Sequence, residues 1–377
     1  MKKICLIFGG TSCEHEVSRV SAVNILKNLD KLKYEPLVME MTKDNQFYIY
    51  KYDGKSDNKD LEDNKNLEDN EYYKDFLLKI VDVDNDLEKE AIIPDLKMFE
   101  RLEVDAVFPI IHGFKGEDGL LQGFLDLCDV PYVGCDVLSS AVCMEKVLCK
   151  DILMQNGIAV ADYLWFDWDE INENIKGVLR EVEGKFAYPV FVKPSQSGSS
   201  VGINKAKDRE QLEKALVYAA QYSRKVLVEE FLQGKELEVA VLGDYKDIKS
   251  TSVGEILPSN EFYDYKAKYI DNKSETILKA DIPSSASREI KKIAKKAFKV
   301  LGCYGMARVD FFLTNGQKAI INEINTIPGF TGISMYPKLW EEAGLSYGQL
   351  LDELIRLAIE RKNKYVFKTH YEEEDYA

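Results

Sequence analysis

Residues Lys193 to Gly202 read KPSQSGSSVG, with one lysine, four serines and two glycines in ten positions. Such a stretch suits phosphate, because backbone N–H groups and hydroxyls donate to phosphate oxygens and a lysine supplies a point charge. A P-loop needs GxxxxGK[ST] between a strand and a helix. Here the lysine precedes the glycine, FAYPVFVKP (186–194) enters as a strand, and SVGINKAK (200–207) leaves as another. The stretch therefore joins two strands and can fold over a nucleotide as a flap. A polar hairpin loop with a solvated lysine satisfies the same residues, so the loop alone leaves both readings standing.

Downstream, DREQLEKALVYAAQY reads as a helix, with KVLVEEFL (225–232) and LEVAVLGD (237–244) as further strands. GMARVDFFL (305–313) and KAIINEINT (318–326) form a hairpin around Thr314, Asn315 and Gly316. SYGQLLDELIRLAIERK is a helix with Leu350, Leu351, Leu354 and Leu357 on one side, and the tail YEEEDYA is frayed. Upstream, a helix-rich stretch at 138–156 follows an alternation of strand and helix. KICLIF (3–8), YEPLVMEM (34–41) and VDAVFPII (104–111) are its strands. GGTSCEHEVS is a loop leading into SAVNILKNL, whose Ala22, Ile25, Leu26 and Leu29 recur at helical spacing. This βα alternation implies an α/β fold with a mostly parallel sheet. Between the strands, DNKDLEDNKNLEDNE (57–71) is acidic and poor in large apolar residues. It reads as a solvated insertion or surface helix, since the spacing of a calcium loop is absent.

A chain of 377 residues exceeds one typical core, so two or three domains are expected. The net charge of −15 argues against binding nucleic acid or anionic lipid, both of which need clustered Lys and Arg. The seven cysteines include no CxxC pair and read as reduced core thiols, and three histidines make a zinc site improbable. The first apolar run breaks at Gly9, too short for a signal-peptide core, and no later run spans a membrane. The expected compartment is the cytoplasm.

The hairpin carries Asp310, Glu323 and Asn325. Glu323 and Asn325, two apart, project from one face, and Asp310 on the partner strand can reach that face. Two carboxylates and an amide oxygen suit Mg²⁺ with a triphosphate. The alternative is polar residues alternating with buried ones. Val309, Phe311, Ile321 and Ile324 mark a buried hairpin, where unpaired carboxylates are costly, so the metal reading is favoured. Arg308 beside Asp310 can meet a transferring phosphoryl group or a developing oxyanion.

The loop GGTSCEHEVS follows a strand's C-terminal end, where parallel sheets bind ligands, but GxGxxG is absent. Glu14 and Glu16 are candidates for an ammonium group, or for acids complementing a helix dipole. His112, in HGFKGEDG (112–119), is either a site residue or a satisfied structural histidine. FYDYKAKY (262–269) is a lid or a surface loop, and composition favours the loop.

Taken together, these stretches resemble the D-alanine–D-alanine ligase family of the ATP-grasp superfamily. The resemblance runs from GGTSCEHEVS to about residue 358, through HGFKGEDG, MEK, KPSQSGSSVG, EEFLQGKE, FYDYKAKY, ARVD and NEINTIPGFTGIS in order. It implies a Rossmann-like, parallel-sheet N-terminal domain followed by a two-subdomain ATP-grasp fold. The N-terminal substrate domain would cover 1–134 and the central subdomain 135–233. The C-terminal subdomain with lid and metal site would cover 234–360, and the tail 361–377.

By the same resemblance, Lys146 and Lys193 serve the nucleotide and its phosphates. Glu229, Glu230, Phe231 and Leu232 border adenine, and Glu236 binds the ribose. Asp310, Glu323 and Asn325 hold two Mg²⁺ ions, for which Mn²⁺ can substitute. Glu14, Ser199 and Tyr269 form a hydrogen-bonded triad, and Lys268 faces the phosphates. Arg308 and the Gly329 N–H form the oxyanion site, while Ser334 holds the second substrate's carboxylate and His112 lies by the substrate. The implied reaction uses ATP to convert one D-alanine to an acyl phosphate, which the amine of a second D-alanine attacks, for peptidoglycan synthesis. A homodimer is implied as well. Ligation to D-serine or D-lactate is the alternative within the family, although AKY ending in Tyr269 resembles the dialanine-forming version. A catalytically silent nucleotide-binding regulator is the alternative outside it. The 57–71 segment has no counterpart among these motifs.

Overall fold

The octapeptide KKICLIFG forms β1 (Lys2–Gly9), buried from Ile4 onward. It is flanked by parallel neighbours, β2 (Tyr34–Met41) and β5 (Ala106–Pro109). The structure is a computed structural model, and it describes residues 1–50, 80, 89–198, 200–257, 275–315 and 317–364. The expected parallel core is thus present, as β2-β1-β5. Two strands that the pattern reading did not anticipate, β3 (Phe47–Tyr50) and β4 (Lys89–Ile92), extend it antiparallel in the order β4-β3-β2-β1-β5. A turn closed by Thr42 and Gln46 connects β2 to β3. Five residues suffice for a hairpin, whereas a parallel crossover takes a dozen or more. The acidic segment 57–71 and the tail beyond 364 lie outside the described residues.

The second sheet runs β6-β9-β7-β8 and is antiparallel throughout, with β6 at Tyr163–Asp167, β7 at Val190–Pro194, β8 at Asn204–Ala206 and β9 at Lys225–Glu230. The opening stretch joins β7 to β8, strand to strand, as its flanks implied. The helices Ile175–Lys185 and Arg209–Ala219 bury Leu179, Val182, Leu212 and Leu216 with Val190, Val192 and Val228 of this sheet. Asp208 caps the second helix by accepting from the Gln211 N–H, which ends β8's exit cleanly.

The third sheet is built on β10 (Gly234–Gly243), paired with β11 (Ile248–Ser250), β12 (Gly254–Leu257) and β14 (Gly305–Thr314). At its edges lie β13 (Glu275–Ile277), beside β12, and β15 (Ala319–Asn325), which closes the expected hairpin with β14. The helix Ser284–Val300 covers one face with Ile290, Ala294, Ala297 and Phe298.

One apolar core is shared between the first and third sheets. It joins Leu6 and Phe8 of β1 and Leu26 to Met306 of β14, and to Phe330, Leu350, Leu351 and Leu354. Each fully buried leucine of the helix Tyr347–Lys364 contributes about 2–3 kcal/mol, so the N-terminal sheet is firmly seated on the C-terminal one. Arg361 of that helix donates to the carbonyls of Gly134 (2.7 Å) and Tyr132 (3.0 Å), clasping the chain where it leaves the first sheet.

Candidate active site

Alternation along β10, β14 and β15 sorts the C-terminal sheet into two faces. Leu237, Val239, Val309, Phe311 and Ile324 enter the core. The other face carries two cross-strand rows, Glu238–Asp310–Glu323 and Ala240–Arg308–Asn325, set by the Cα register. Arg308 grips Asp310 with both arms, Nε to Oδ1 at 2.8 Å and Nη2 to Oδ2 at 2.7 Å, and its Nε lies 3.2 Å from Glu238 Oε2. Asn325 Nδ2 also donates to Asp310 Oδ2, at 3.0 Å. Burial works against the Arg308 charge, but Asp310 and Glu238 outweigh it and keep the guanidinium protonated. The sequence brings Asp310, Glu323 and Asn325 together as anticipated. Among the described residues, however, no three or more of His, Cys, Asp and Glu are arranged to hold a metal ion. Asp310 has both its oxygens engaged by Arg308 in this state. The donors themselves are hard oxygens on one face, which suits Mg²⁺.

A β-bulge between Asp310 and Phe311 lets β15 present Asn322 next to Glu323. Lys193 Nζ donates to Asn322 Oδ1 at 3.0 Å and lies 2.5 Å from Glu229 Oε2. Lys150 Nζ sits 2.6 Å from the other oxygen of Glu229. Burial pushes the Glu229 carboxyl up, but the two ammoniums overcome it and hold it down at about 2. Lys146 Nζ donates to the Ser197 carbonyl at 2.6 Å and approaches Glu323 Oε2 at 3.9 Å, while burial lowers its pKa. Ser195 is fully buried and bonds Glu145, whose carboxylate also caps the helix that carries Lys146. These contacts root the flap on that helix.

The residues form the walls of two clefts. One, about 940 Å³ counting its solvent-open mouth, lies between the second and third sheets against Phe191, Lys193, Glu229, Glu230, Leu232 and Glu236. The other, about 780 Å³, lies between the first and third sheets against Glu14, His112, Glu117, Gly329 and Ser334. Both include Glu238, Arg308 and Glu323, so the clefts meet at these three side chains.

In the second cleft, Glu14 is buried at the start of the helix His15–Asn28, and Glu16 points out to Lys43, 3.2 Å away. Of these two acids only Glu14 faces the site. The turn before it needs glycine: Gly10 has φ +91, and a Cβ there would lie 2.4 Å from Ile111 Cγ2. His112 is buried, its Nδ1 3.0 Å from the Ile327 carbonyl and its Nε2 3.4 Å from Ser21 Oγ. Desolvation lowers its pKa and keeps it neutral, so it is satisfied structurally while still lining the cleft. Glu117 accepts from the N–H groups of Gly113 (2.7 Å) and Ile327 (3.0 Å), tying the loop after β5 to the loop after β15. Burial, helped by the nearby Glu14 charge, pushes its carboxyl up to about 8. Ser334 precedes the helix Met335–Glu342, its Oγ 2.8 Å from Thr331 Oγ1 and close to Gly329, where a Cβ would lie 2.7 Å away.

Among the residues expected at adenine, Glu230 accepts from the Asp162 N–H at 3.0 Å, and Phe231 is exposed, its ring 6.1 Å from Phe191. Ser199, Lys268 and Tyr269, with the stretch 262–269, lie outside the described residues. Pattern reading missed Glu238, Lys150, Glu117 and Asn322. Glu238 follows Glu236 by two in a strand, and Lys150 follows Lys146 by four in a helix, so both had a periodic signal. Asn322 had none, because only the bulge turns it towards the cleft.

Family models for the "D-ala D-ala ligase N-terminus" and the "D-ala D-ala ligase C-terminus" match residues 3–135 and 152–356. The chain belongs to the D-alanine–D-alanine ligase family. A relative from Acetivibrio thermocellus named D-alanine–D-alanine ligase is 48% identical over 367 residues, covering 96% of this chain and 97% of the relative. The solved D-alanine–D-alanine ligase of Coxiella burnetii is 36% identical with a TM-score of 0.77, covering 97% of each chain. The VanG D-Ala:D-Ser ligase of Enterococcus faecalis is 34% identical with a TM-score of 0.79, covering 95% of this chain and 99% of that one. Membership makes this chain a ligase of the ATP-grasp type. No helix among the described residues is long and apolar enough to cross a membrane.

Proposed function

We propose that the chain joins two D-alanines into D-alanyl-D-alanine at the expense of ATP, for the peptidoglycan precursor. The observation that carries this reading is the meeting of the two clefts at Arg308, Glu238 and Glu323. A nucleotide in the first and amino acids in the second would bring the γ-phosphate and a substrate carboxylate to one wall. On this reading the N-terminal unit ends near residue 134 and the two grasping halves divide near 233. The chain works in the cytoplasm as a homodimer.

Adenine sits against Phe191, Glu229, Glu230, Phe231 and Leu232, with Glu236 at the ribose. Lys146, Lys193 and Lys268 take the phosphates. Asp310, Glu323 and Asn325 would hold two Mg²⁺ ions, or Mn²⁺, which neutralise the charge on the transferring phosphoryl group. Glu14 anchors the first substrate's ammonium, linked through Ser199 to Tyr269, with His112 behind it. The carboxylate oxygen of the first D-alanine attacks the γ-phosphorus and ADP leaves. The amine of the second, held through its carboxylate at Ser334, loses a proton and attacks the acyl carbon. Arg308 and the Gly329 N–H stabilise the resulting oxyanion until phosphate departs.

Phosphate release with D-alanine alone, then with D-serine or D-lactate added, tests the assignment. Turnover on D-alanine alone is expected. Negligible turnover that D-serine strongly stimulates would instead assign the D-Ala:D-Ser reaction. Glu323→Ala should abolish Mg-ATP-dependent ligation, and wild-type activity in that variant would remove the metal assignment.

A further inference from the structure

The helix Lys146–Gln155 buries two lysines one turn apart, and they serve different partners. Lys146 holds the Ser197 carbonyl, whereas Lys150 is directed at Glu229. Lys150 and Glu229 are only 2% and 3% exposed, and Glu229 lines the nucleotide-side cleft. Among the described residues its Oε1 accepts no well-aligned hydrogen bond, and the ammonium of Lys150 has no competing acceptor. Lys193 is different: it divides its charge between Glu229 and Asn322.

We infer that Lys150 is a positioning residue for nucleotide selection, holding Glu229 as an anion aimed at the exocyclic amine of adenine while Lys193 turns to phosphate. This rests on the proposed function. Lys193 cannot neutralise Glu229 fully and also neutralise a triphosphate. A buried carboxylate stripped of its only cation is strongly destabilised, by an amount set by the desolvation of the charge. Lys150 prevents that, because it stays on Oε1 when Lys193 leaves Oε2. The anion kept in this way discriminates between purines. It accepts from the 6-amino group of adenine, whereas the 6-oxo group of hypoxanthine places an acceptor against it and leaves both unpaired. Lys150 thereby acts through Glu229 and touches no reacting atom.

Equilibrium titration of the full-length chain with Mg-ATP and with Mg-ITP, in the absence of D-alanine, reads this directly. The wild-type chain should prefer ATP. Lys150→Met should weaken ATP binding about 10- to 100-fold, a loss typical of a charged hydrogen bond, and bring the ATP-to-ITP ratio near one. Its KM for D-alanine at saturating ATP should not move. Lys150→Arg, which keeps the charge, should restore the ratio. If Lys150→Met does not fold, Lys150→Gln replaces it with the same expected loss of preference. Wild-type affinity and preference in the neutral variant, or no ATP preference in the wild-type chain, would overturn the inference. A wild-type chain that binds ATP yet makes no D-alanyl-D-alanine sinks the proposed function alone, since binding needs no turnover.

Discussion

Gly198 offers a way to disturb the Glu14 carboxylate without disturbing the fold. A Cβ built on Gly198 would stand 2.8 Å from Glu14 Oε2, inside van der Waals contact, with no other side chain so close among the described residues. Its backbone is not in the left-handed region, so alanine brings no conformational strain. The clash is with the far end of a side chain, which must move by several tenths of an ångström. Glu14 holds the substrate ammonium on our reading, and a charge-assisted hydrogen bond is worth about 1.5–3 kcal/mol. Losing half of it, about 0.75–1.5 kcal/mol, raises KM for D-alanine roughly 3- to 12-fold, at about 1.4 kcal/mol per tenfold. The melting temperature should stay within about 2 °C, because reduced unfolded-state entropy offsets a fraction of a kcal/mol of strain. Gly113→Ala meets the same oxygen at 2.9 Å but has φ +71, so it should combine the KM effect with about 1 kcal/mol of lost stability. Steady-state phosphate release at varied D-alanine, with melting curves on both variants, makes the comparison. An unchanged D-alanine KM in Gly198→Ala, with the chain folded, would refute the placement of Glu14 at the substrate.

Arg308→Lys keeps the charge but loses the two-armed grip on Asp310. Turnover should fall about 10²- to 10³-fold, the loss expected for one oxyanion donor. A kcat within about threefold of wild type in the same assay would remove Arg308 from the oxyanion site. Glu117 titrates at about 8 in the folded chain, above its ordinary value of 4.5. Between those values the folded state binds more protons than the unfolded one, so this carboxyl makes stability fall as pH rises through that window. Melting temperature against pH should show that decline, and Glu117→Gln should flatten it while lowering stability overall, since an amide cannot accept from both Gly113 and Ile327. A slope unchanged by the substitution would show that Glu117 holds no extra proton.

Much of the site was legible because periodicity carries it. In β10, β14 and β15, alternation alone sends Glu236, Arg308, Asp310, Glu323 and Asn325 to one face, and the apolar neighbours say which face is buried. The strand-to-strand character of Lys193–Gly202 was legible for the same reason: apolar β-branched runs stand on both sides of a lysine that comes too early for a P-loop. The antiparallel extension by β3 and β4 was not, because Lys89–Ile92 has no alternation and is recognisable only by its partner. Glu14 and Glu16 were equivalent on paper. Only the helix, starting at His15, turns the first into the cleft and the second to solvent.

The order of short motifs thus determined the family, the strand-to-strand flap and the polar face of the C-terminal hairpin, since each depends on neighbours a few residues apart. The tertiary structure decided which charges share a space. Lys150 meets Glu229 across 79 positions of chain, Glu117 meets the Ile327 N–H across 210, and Glu238 joins Arg308 across a strand pair. Such contacts are fixed by how sheets stack and where a bulge falls, and electrostatic energy depends on distance in space rather than along the chain.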